Sequence, residues 1–264
     1  MKKALVFSSL SEVEPSWLSF ADGVDYFHGK IAAPQFEFYA LRIDLVSANN
    51  QIVVKDGMAG AERSLSTKVS GFVRDNNLIA GINAVPFDVV SSTEGQPIKN
   101  IGIVISDGEL LAPANRHYDA LVFYNAAEAQ RAAIVSQSSI SSTGNIENAV
   151  GGFYHILVEG NPSQRTLNDE TRHPRSAAGL SPDSKHLFLL VIDGRRAGSV
   201  GATVQETALV LRSLGSSEGI NFDGGGSSAL AMSFPDGRVR VVNTPIHNGI
   251  PGQERAVAGC IGVR

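Results

Sequence analysis

The chain has 264 residues, of which 43% are hydrophobic and 18% charged, the make-up of a folded globular protein with a substantial core rather than a disordered one. Its formal net charge of −4 argues against broad electrostatic binding to nucleic acid or an anionic membrane, while leaving room for a local basic pocket. A single cysteine, Cys260, excludes an internal disulfide and a cysteine-based zinc site, and no apolar stretch is long enough to span a bilayer.

Met1-Lys2-Lys3 and the apolar Ala4-Leu5-Val6-Phe7 have the outline of a signal peptide, but the apolar part is too short and Glu12 and Glu14 follow soon after. The chain is expected to be cytoplasmic if Met1 is the native start, or exported with its signal already removed. Residues 36–46 alternate between apolar and polar side chains and read as one or two strands. A helix is expected over about 61–75, because Leu65, Val69, Phe72 and Val73 make one apolar stripe and Asn76-Asn77 ends it. Strands are then expected at 78–84, 101–106, 120–124, 132–135, 153–158, 177–180, 187–192, 229–234 and 256–263. Asp107-Gly108 reads as a hairpin turn. Ser-rich 136–144 and charged, Pro-bounded 161–174 read as loops. Thr203-Val204-Gln205-Glu206 is a capping box that opens a second helix, with Val204, Ala208, Leu211 and Leu214 facing inward and Gly215 as its stop. This strand-rich pattern, without an internal repeat or a linker of domain length, predicts a single α+β domain over 1–264. Cys260 falls in an apolar run and is expected to be a small buried hydrophobe.

The most informative segment is Asn221-Phe222-Asp223-Gly224-Gly225-Gly226-Ser227-Ser228. An apolar run delivers a carboxylate to its end, and three glycines and two hydroxyls follow. Glycine lets the backbone turn sharply and approach a ligand, and its N–H groups can form an anion-binding nest. The plainer alternative is a tight turn between two strands. Other polar groups also stand at strand ends: Asn83, Arg175-Ser176 after His173-Pro174, Asp193-Gly194-Arg195, and Glu254-Arg255. Convergence of such groups over an apolar floor is the usual form of a small-molecule site. Asp193-Gly194 could equally be a hairpin turn, Glu254-Arg255 a surface ion pair, and His173 an exposed loop residue. Arg172, Arg175, Arg195, Arg196 and Arg255 crowd near these strand ends and suit an anionic substrate, since guanidinium grips phosphate or carboxylate oxygens in pairs. No dinucleotide fingerprint, phosphate-binding loop, nucleophile elbow or histidine pair with metal spacing occurs.

The segment 221–228 resembles the Asn-Leu-Asp-Gly-Gly-Gly-Ser signature of the phosphodiester glycosidases. Gly81-Ile82-Asn83-Ala84 with Phe87 is similar to that family's Asn-Gly-Gly-Tyr-Phe strand end. Asn100 and Val104-Ile105-Ser106-Asp107-Gly108 resemble its hairpin, Pro174-Arg175-Ser176-Ala177-Ala178-Gly179 its Arg-Thr-Ala-Ile-Gly, and Glu254-Arg255-Ala256-Val257 its bacterial Glu-Arg-Pro-Val. The matches run in order from about Glu62 to Arg264; Val85-Pro86 and Ala256 depart from the pattern, and residues 1–60 match nothing in it. The resemblance implies hydrolysis of a sugar-1-phosphodiester at the anomeric carbon and leans toward an exported chain acting on a small or polymeric sugar phosphodiester. No cofactor is expected, and Asp and Asn abound near the glycines although no ligand spacing demands a divalent ion. On this reading Asp223 is the main carboxylate, Arg175 holds the phosphate with the amides of Gly224, Gly225 and Gly226, and Asn83 and Asn221 orient sugar hydroxyls. Asp193 and Glu254 are reserve carboxylates, and Ser176, Ser227, Arg255 and His173 line the substrate site. The alternative is a non-catalytic carbohydrate- or polymer-binding module of an exopolysaccharide system.

Overall fold

The computed structural model describes residues 4–47, 49–55, 63–125 and 131–264. The fold is mostly β: among the described residues there are three large sheets and two α-helices. The largest sheet runs in the order Leu5–Phe7, Val24–Ile31, Phe36–Asp44, His186–Ile192, Arg175–Leu180, Glu218–Asn221, His155–Val158 and Asn161–Pro162, with Leu18–Ala21 pairing Val24–Ile31. A second sheet orders Glu109–Ala112, Val104–Ser106, Ile146–Gly151, Asp119–Tyr124 and Ala132–Ser136, and a third orders Val239–Val241, Leu230–Ser233, Ala80–Asn83, Cys260–Val263 and Ile52–Val54.

The central strands of the large sheet are apolar at nearly every position because both faces are covered. Side chains alternate across a strand. Leu187, Leu189 and Val191 therefore enter a core shared with Ile82, Leu230, Leu121 and Val150 of the other two sheets. Phe188, Leu190 and Ile192 face the opposite way, into a cluster covered by helix α2, Val204–Leu214. Helix α2 starts and stops as its sequence dictates. Thr203 Oγ1 accepts the Glu206 amide at 3.1 Å, Glu206 Oε2 accepts the Thr203 amide at 2.9 Å, and Gly215 caps the other end at φ 110°.

Helix α1 is Val69–Asp75, shorter than the stripe over 61–75 suggests. Residues 61 and 62 lie outside the described set. Arg63–Leu65 is instead a strand paired with Pro97–Lys99, and Thr67 bridges Val257, so long-range pairing overrides the local helical periodicity. Val69, Phe72 and Val73 still form the inward face, packed with Leu78, Ala229, Ala231 and Cys260. The Cys260 thiol is fully buried, which pushes its pKa up to about 12 and makes it a packing group. Asp107 and Gly108, with φ of 49° and 80°, form the expected hairpin between Val104–Ser106 and Glu109–Ala112. The strand Ile146–Gly151 was not expected from sequence. No described helix is long and apolar enough to cross a membrane.

Candidate active site

The strand Glu218–Asn221 lies antiparallel to Arg175–Leu180, with Asn221 opposite Ala177, so Asn221 and Arg175 come to the same edge of the large sheet. From that edge the chain crosses to the third sheet through the triple-glycine bend and enters Leu230–Ser233. Backbone bonds fix the crossing: the Phe222 amide donates to Ser176 O at 2.9 Å and the Asp223 amide to Ala84 O at 2.9 Å. A cavity of about 250 Å³ opens here. His173, Arg175, Arg195 and Arg255 form its cationic and polar wall. Phe153, Asn221 and Phe222 line it further, and Gly224–Gly226 close one side.

The glycines are needed where the arginines sit. Gly225 has φ 62°, a backbone conformation that side chains disfavour, and a Cβ there would lie 3.1–3.4 Å from the Arg195 guanidinium. A Cβ on Gly226 would collide with the Arg255 guanidinium. The bend therefore acts as a bed for two guanidiniums rather than as an open nest of amides. One of the three amides expected to hold a phosphate is already engaged: Gly225 N–H donates to Pro174 O at 2.8 Å, while the Gly224 amide favours the ionised Asp223 carboxylate.

Asp223 sits beneath this layer and is only partly exposed. Burial raises its pKa to about 6, against the opposing effects of the Ser227 hydroxyl, the Arg255 charge and the Gly224 amide. The Ser227 hydroxyl acts on both charges: it favours the ionised Asp223 carboxylate and accepts Arg255 Nη1 at 3.2 Å. Arg255 Nε in turn donates to His247 Nδ1 at 3.2 Å, which requires His247 to be neutral, and burial beside Arg255 lowers the His247 pKa accordingly. The cavity wall takes in Phe222 and Gly224 on either side of Asp223, and Arg255, whose charge acts on it.

Asn221 Oδ1 is buried without a hydrogen-bond partner among the described residues, and Asn221 lines the cavity. An orphaned acceptor at a cavity wall marks a place for a ligand donor such as a sugar hydroxyl. Arg175 is buried, which lowers its pKa. Its Nε donates to Ala202 O at 3.0 Å, and its Nη2 to Thr171 O at 2.8 Å and Asp169 Oδ2 at 3.3 Å. His173 Nδ1 meets Arg195 Nη2 at 3.0 Å, and burial together with the Arg195 and Arg175 charges lowers the His173 pKa.

Six expected site residues are not part of the cavity wall: Asp223 and Ser227, which belong to the bend that forms one side of it, and Asn83, Ser176, Asp193 and Glu254. Asn83 is turned into the protein: its Nδ2 donates to the Asp223 backbone carbonyl at 2.6 Å, and its Oδ1 accepts Ser176 Oγ at 2.7 Å and the Ala229 amide at 3.2 Å. Its amide is spent on fixing the bend that carries Asp223. Ser176 is fully buried as its partner. Asp193 is neither a hairpin residue nor a second carboxylate at the cavity. It is buried and accepts Arg196 Nη2 at 2.7 Å, Asn243 Nδ2 at 3.0 Å and the Thr244 amide at 3.0 Å. Glu254 and Arg255 are not an ion pair. Glu254 accepts the Ser70 amide at 3.1 Å and the Ser70 hydroxyl, capping the start of α1, while Arg255 faces the bend.

Four residues of the cavity wall, Phe153, Pro174, Arg195 and Phe222, are not among the site residues the sequence assigns a role. Phe153 carries no signal beyond its place at a strand start. Arg195 was visible only as one of a crowd of arginines, of which Arg172 is committed to Glu206 and Arg196 to Asp193 and Glu37. Among the described residues no group of His, Cys, Asp and Glu side chains is placed to hold a metal ion.

The family model described as phosphodiester glycosidase matches residues 76–264, and the chain belongs to that family. Its fold is similar to that of several solved structures. The catalytic domain of zebrafish N-acetylglucosamine-1-phosphodiester alpha-N-acetylglucosaminidase, auto-inhibited by its pro-peptide, superposes with a TM-score of 0.68 at 16% identity, over 96% of this chain and 88% of that one. A hypothetical protein from Synechocystis gives 0.65 at 15% identity over 96% of this chain; the match spans 64% of the length of that one. A putative exported protein from Burkholderia pseudomallei gives 0.62 at 16% identity, over 87% of this chain and 74% of that one. No curated protein matches the sequence.

Proposed function

We propose that the chain hydrolyses a sugar-1-phosphodiester at the anomeric carbon, releasing free sugar and leaving a phosphomonoester on the other partner. The observation that carries this reading is the pairing of one carboxylate of raised pKa, Asp223, with a guanidinium-lined cavity built on the same glycine bend. Glycoside hydrolysis passes through an oxocarbenium-like state and ordinarily uses one carboxyl group as general acid for the leaving oxygen. A phosphate ester leaves without that help when its charge is stabilised, so a single carboxylate with an arginine cradle is a sufficient set.

In this scheme the sugar lies against Phe153 with a hydroxyl donating to Asn221 Oδ1, and the phosphate lies toward the arginines. Asp223 acts in its ionised form. It either takes a proton from the water that attacks C1, or itself bonds to C1 and is displaced by water in a second step. In both routes the C1–O bond breaks with its electron pair going to the phosphate oxygen. Asn83, Ser176 and Ser227 keep the carboxylate in place. Glu254 and Asp193 hold the surrounding frame.

Incubation with an N-acetylglucosamine-1-phosphodiester and assay of released sugar tests the proposal. Release of sugar together with a phosphomonoester supports it. Saturable binding without release would favour a carbohydrate-binding module instead.

A further inference from the structure

The three guanidiniums of the cavity differ in how they are compensated. Arg175 pairs with Asp169, and Arg255 makes no ion pair within 4 Å among the described residues but lies in the field of the Asp223 charge and donates to Ser227. Arg195 pairs with no carboxylate among the described residues; its Nη2 meets the neutral ring nitrogen Nδ1 of His173. Two carboxylates thus stand against three guanidiniums, and the excess positive charge of the cavity resides on Arg195.

Arg195 is also held in a posture that serves this end. It takes a left-handed backbone conformation at φ 57°, and its exposed side chain lies over Gly225. The next residue points the other way: Arg196 Nη2 binds Asp193 Oδ2 at 2.7 Å and Glu37 Oε2 at 2.9 Å. Glu37 is further gripped by Tyr39 and Lys30. This buried network anchors the Asp193–Arg196 turn and directs one arginine of the pair into the protein and the other to the cavity.

We propose that Arg195 is the charge-selecting residue of the site, the group that makes it accept a monoanionic phosphodiester in preference to an uncharged glycoside of the same sugar. This rests on the hydrolase reading for its placement of the phosphate, but the selection itself is a property of binding. A guanidinium already neutralised by a carboxylate gives a ligand anion little net attraction; an uncompensated one gives a full charge and two parallel donors. His173 is a positioning residue for it: its neutral Nδ1 accepts from Arg195 and adds no competing charge.

Calorimetric titration of the whole chain with N-acetylglucosamine 1-phosphate and, separately, with N-acetylglucosamine tests the proposal without requiring turnover. The wild type is expected to bind the phosphorylated sugar the more tightly. Arg195→Gln is expected to lose at least about 10-fold in affinity for it, the scale of a hydrogen bond to a charged group, with affinity for the uncharged sugar held within about two-fold. Arg195→Lys, which keeps the charge, is expected to recover part of the loss. An equal loss for both ligands, no change for either, or absence of a phosphate preference in the wild type would each overturn the assignment. Sugar release by the wild type, assayed in parallel, reports on the hydrolase reading separately: charge selection without release would sink that reading and leave the Arg195 assignment standing.

Discussion

The Arg255 guanidinium occupies the space that a side chain on Gly226 would fill: a Cβ there would lie 2.8 Å from Arg255 Cζ. The glycine and the arginine are thus one device, in which the backbone gives up a side chain so that a charge can lie on it, next to Ser227 and Asp223. Gly226→Ala is expected to push Arg255 off the bend and lower kcat/KM by roughly 10-fold or more, the cost of one misplaced charged donor. Steady-state kinetics on a phosphodiester substrate checks this. Gly144→Ala is a useful comparison, because its backbone is not left-handed and a Cβ there meets only Ser142 Oγ at 3.8 Å, an ordinary contact; it is expected to leave kinetics unchanged.

Activity is expected to rise with pH and level off above about 6, because Asp223 works ionised and burial holds its pKa near that value. The same shift predicts a stability effect of definite sign. A carboxyl whose folded pKa is raised keeps its proton longer in the native state than in the unfolded chain, so stability falls as pH climbs from about 4 to about 6. Asp223→Asn removes that fall. It is expected to be more stable than wild type by about 1–3 kcal/mol at neutral pH, with the advantage vanishing below pH 4. Urea unfolding of both proteins across this range checks it.

Asn83→Ala is expected to be strongly destabilising, by about 2–4 kcal/mol, because it leaves the Asp223 carbonyl, the Ser176 hydroxyl and the Ala229 amide without their common partner. Activity is expected to fall along with stability, since the bend loses its clamp. Denaturant midpoints and residual turnover at a temperature where the variant remains folded separate the two effects.

Glu254→Gln is expected to do the reverse, lowering thermal stability by about 1 kcal/mol, as loss of a helix cap does, while changing kcat/KM by less than about 3-fold. A large loss of turnover with unchanged stability would return Glu254 to the list of reacting groups.

Much of this site is legible in the sequence because glycine leaves an unmistakable trace. The run Gly224–Gly226 marks the bend, and Asn221, Arg175, His173 and Arg255 all come to it. What the sequence does not separate is a polar group at a strand end that faces a cavity from one that faces inward. Asp193 and Glu254 stand in the same local context as Asp223, yet one meets Asn243 and Thr244 and the other meets Ser70, partners distant in sequence. Asn83 reads in the sequence as a group for a sugar hydroxyl, yet its amide binds the Asp223 carbonyl, the Ala229 amide and the Ser176 hydroxyl. The fold shows the same division. The capping box of α2 is local chemistry and forms as read. The start of α1 is displaced because Thr67 pairs with Val257, a contact that helical periodicity cannot register. Val24–Ile31 goes unmarked because it is buried on both faces, which blurs the alternation that announces a strand.

The most direct test compares wild type with Asp223→Asn in release of free sugar from an N-acetylglucosamine-1-phosphodiester at pH 7.5, with folding confirmed by unfolding curves. The account predicts turnover by the wild type and a loss of about 10²–10⁴-fold in the variant, the usual contribution of a positioned acid–base group, in a protein at least as stable. Turnover by Asp223→Asn within about 10-fold of the wild type would contradict it.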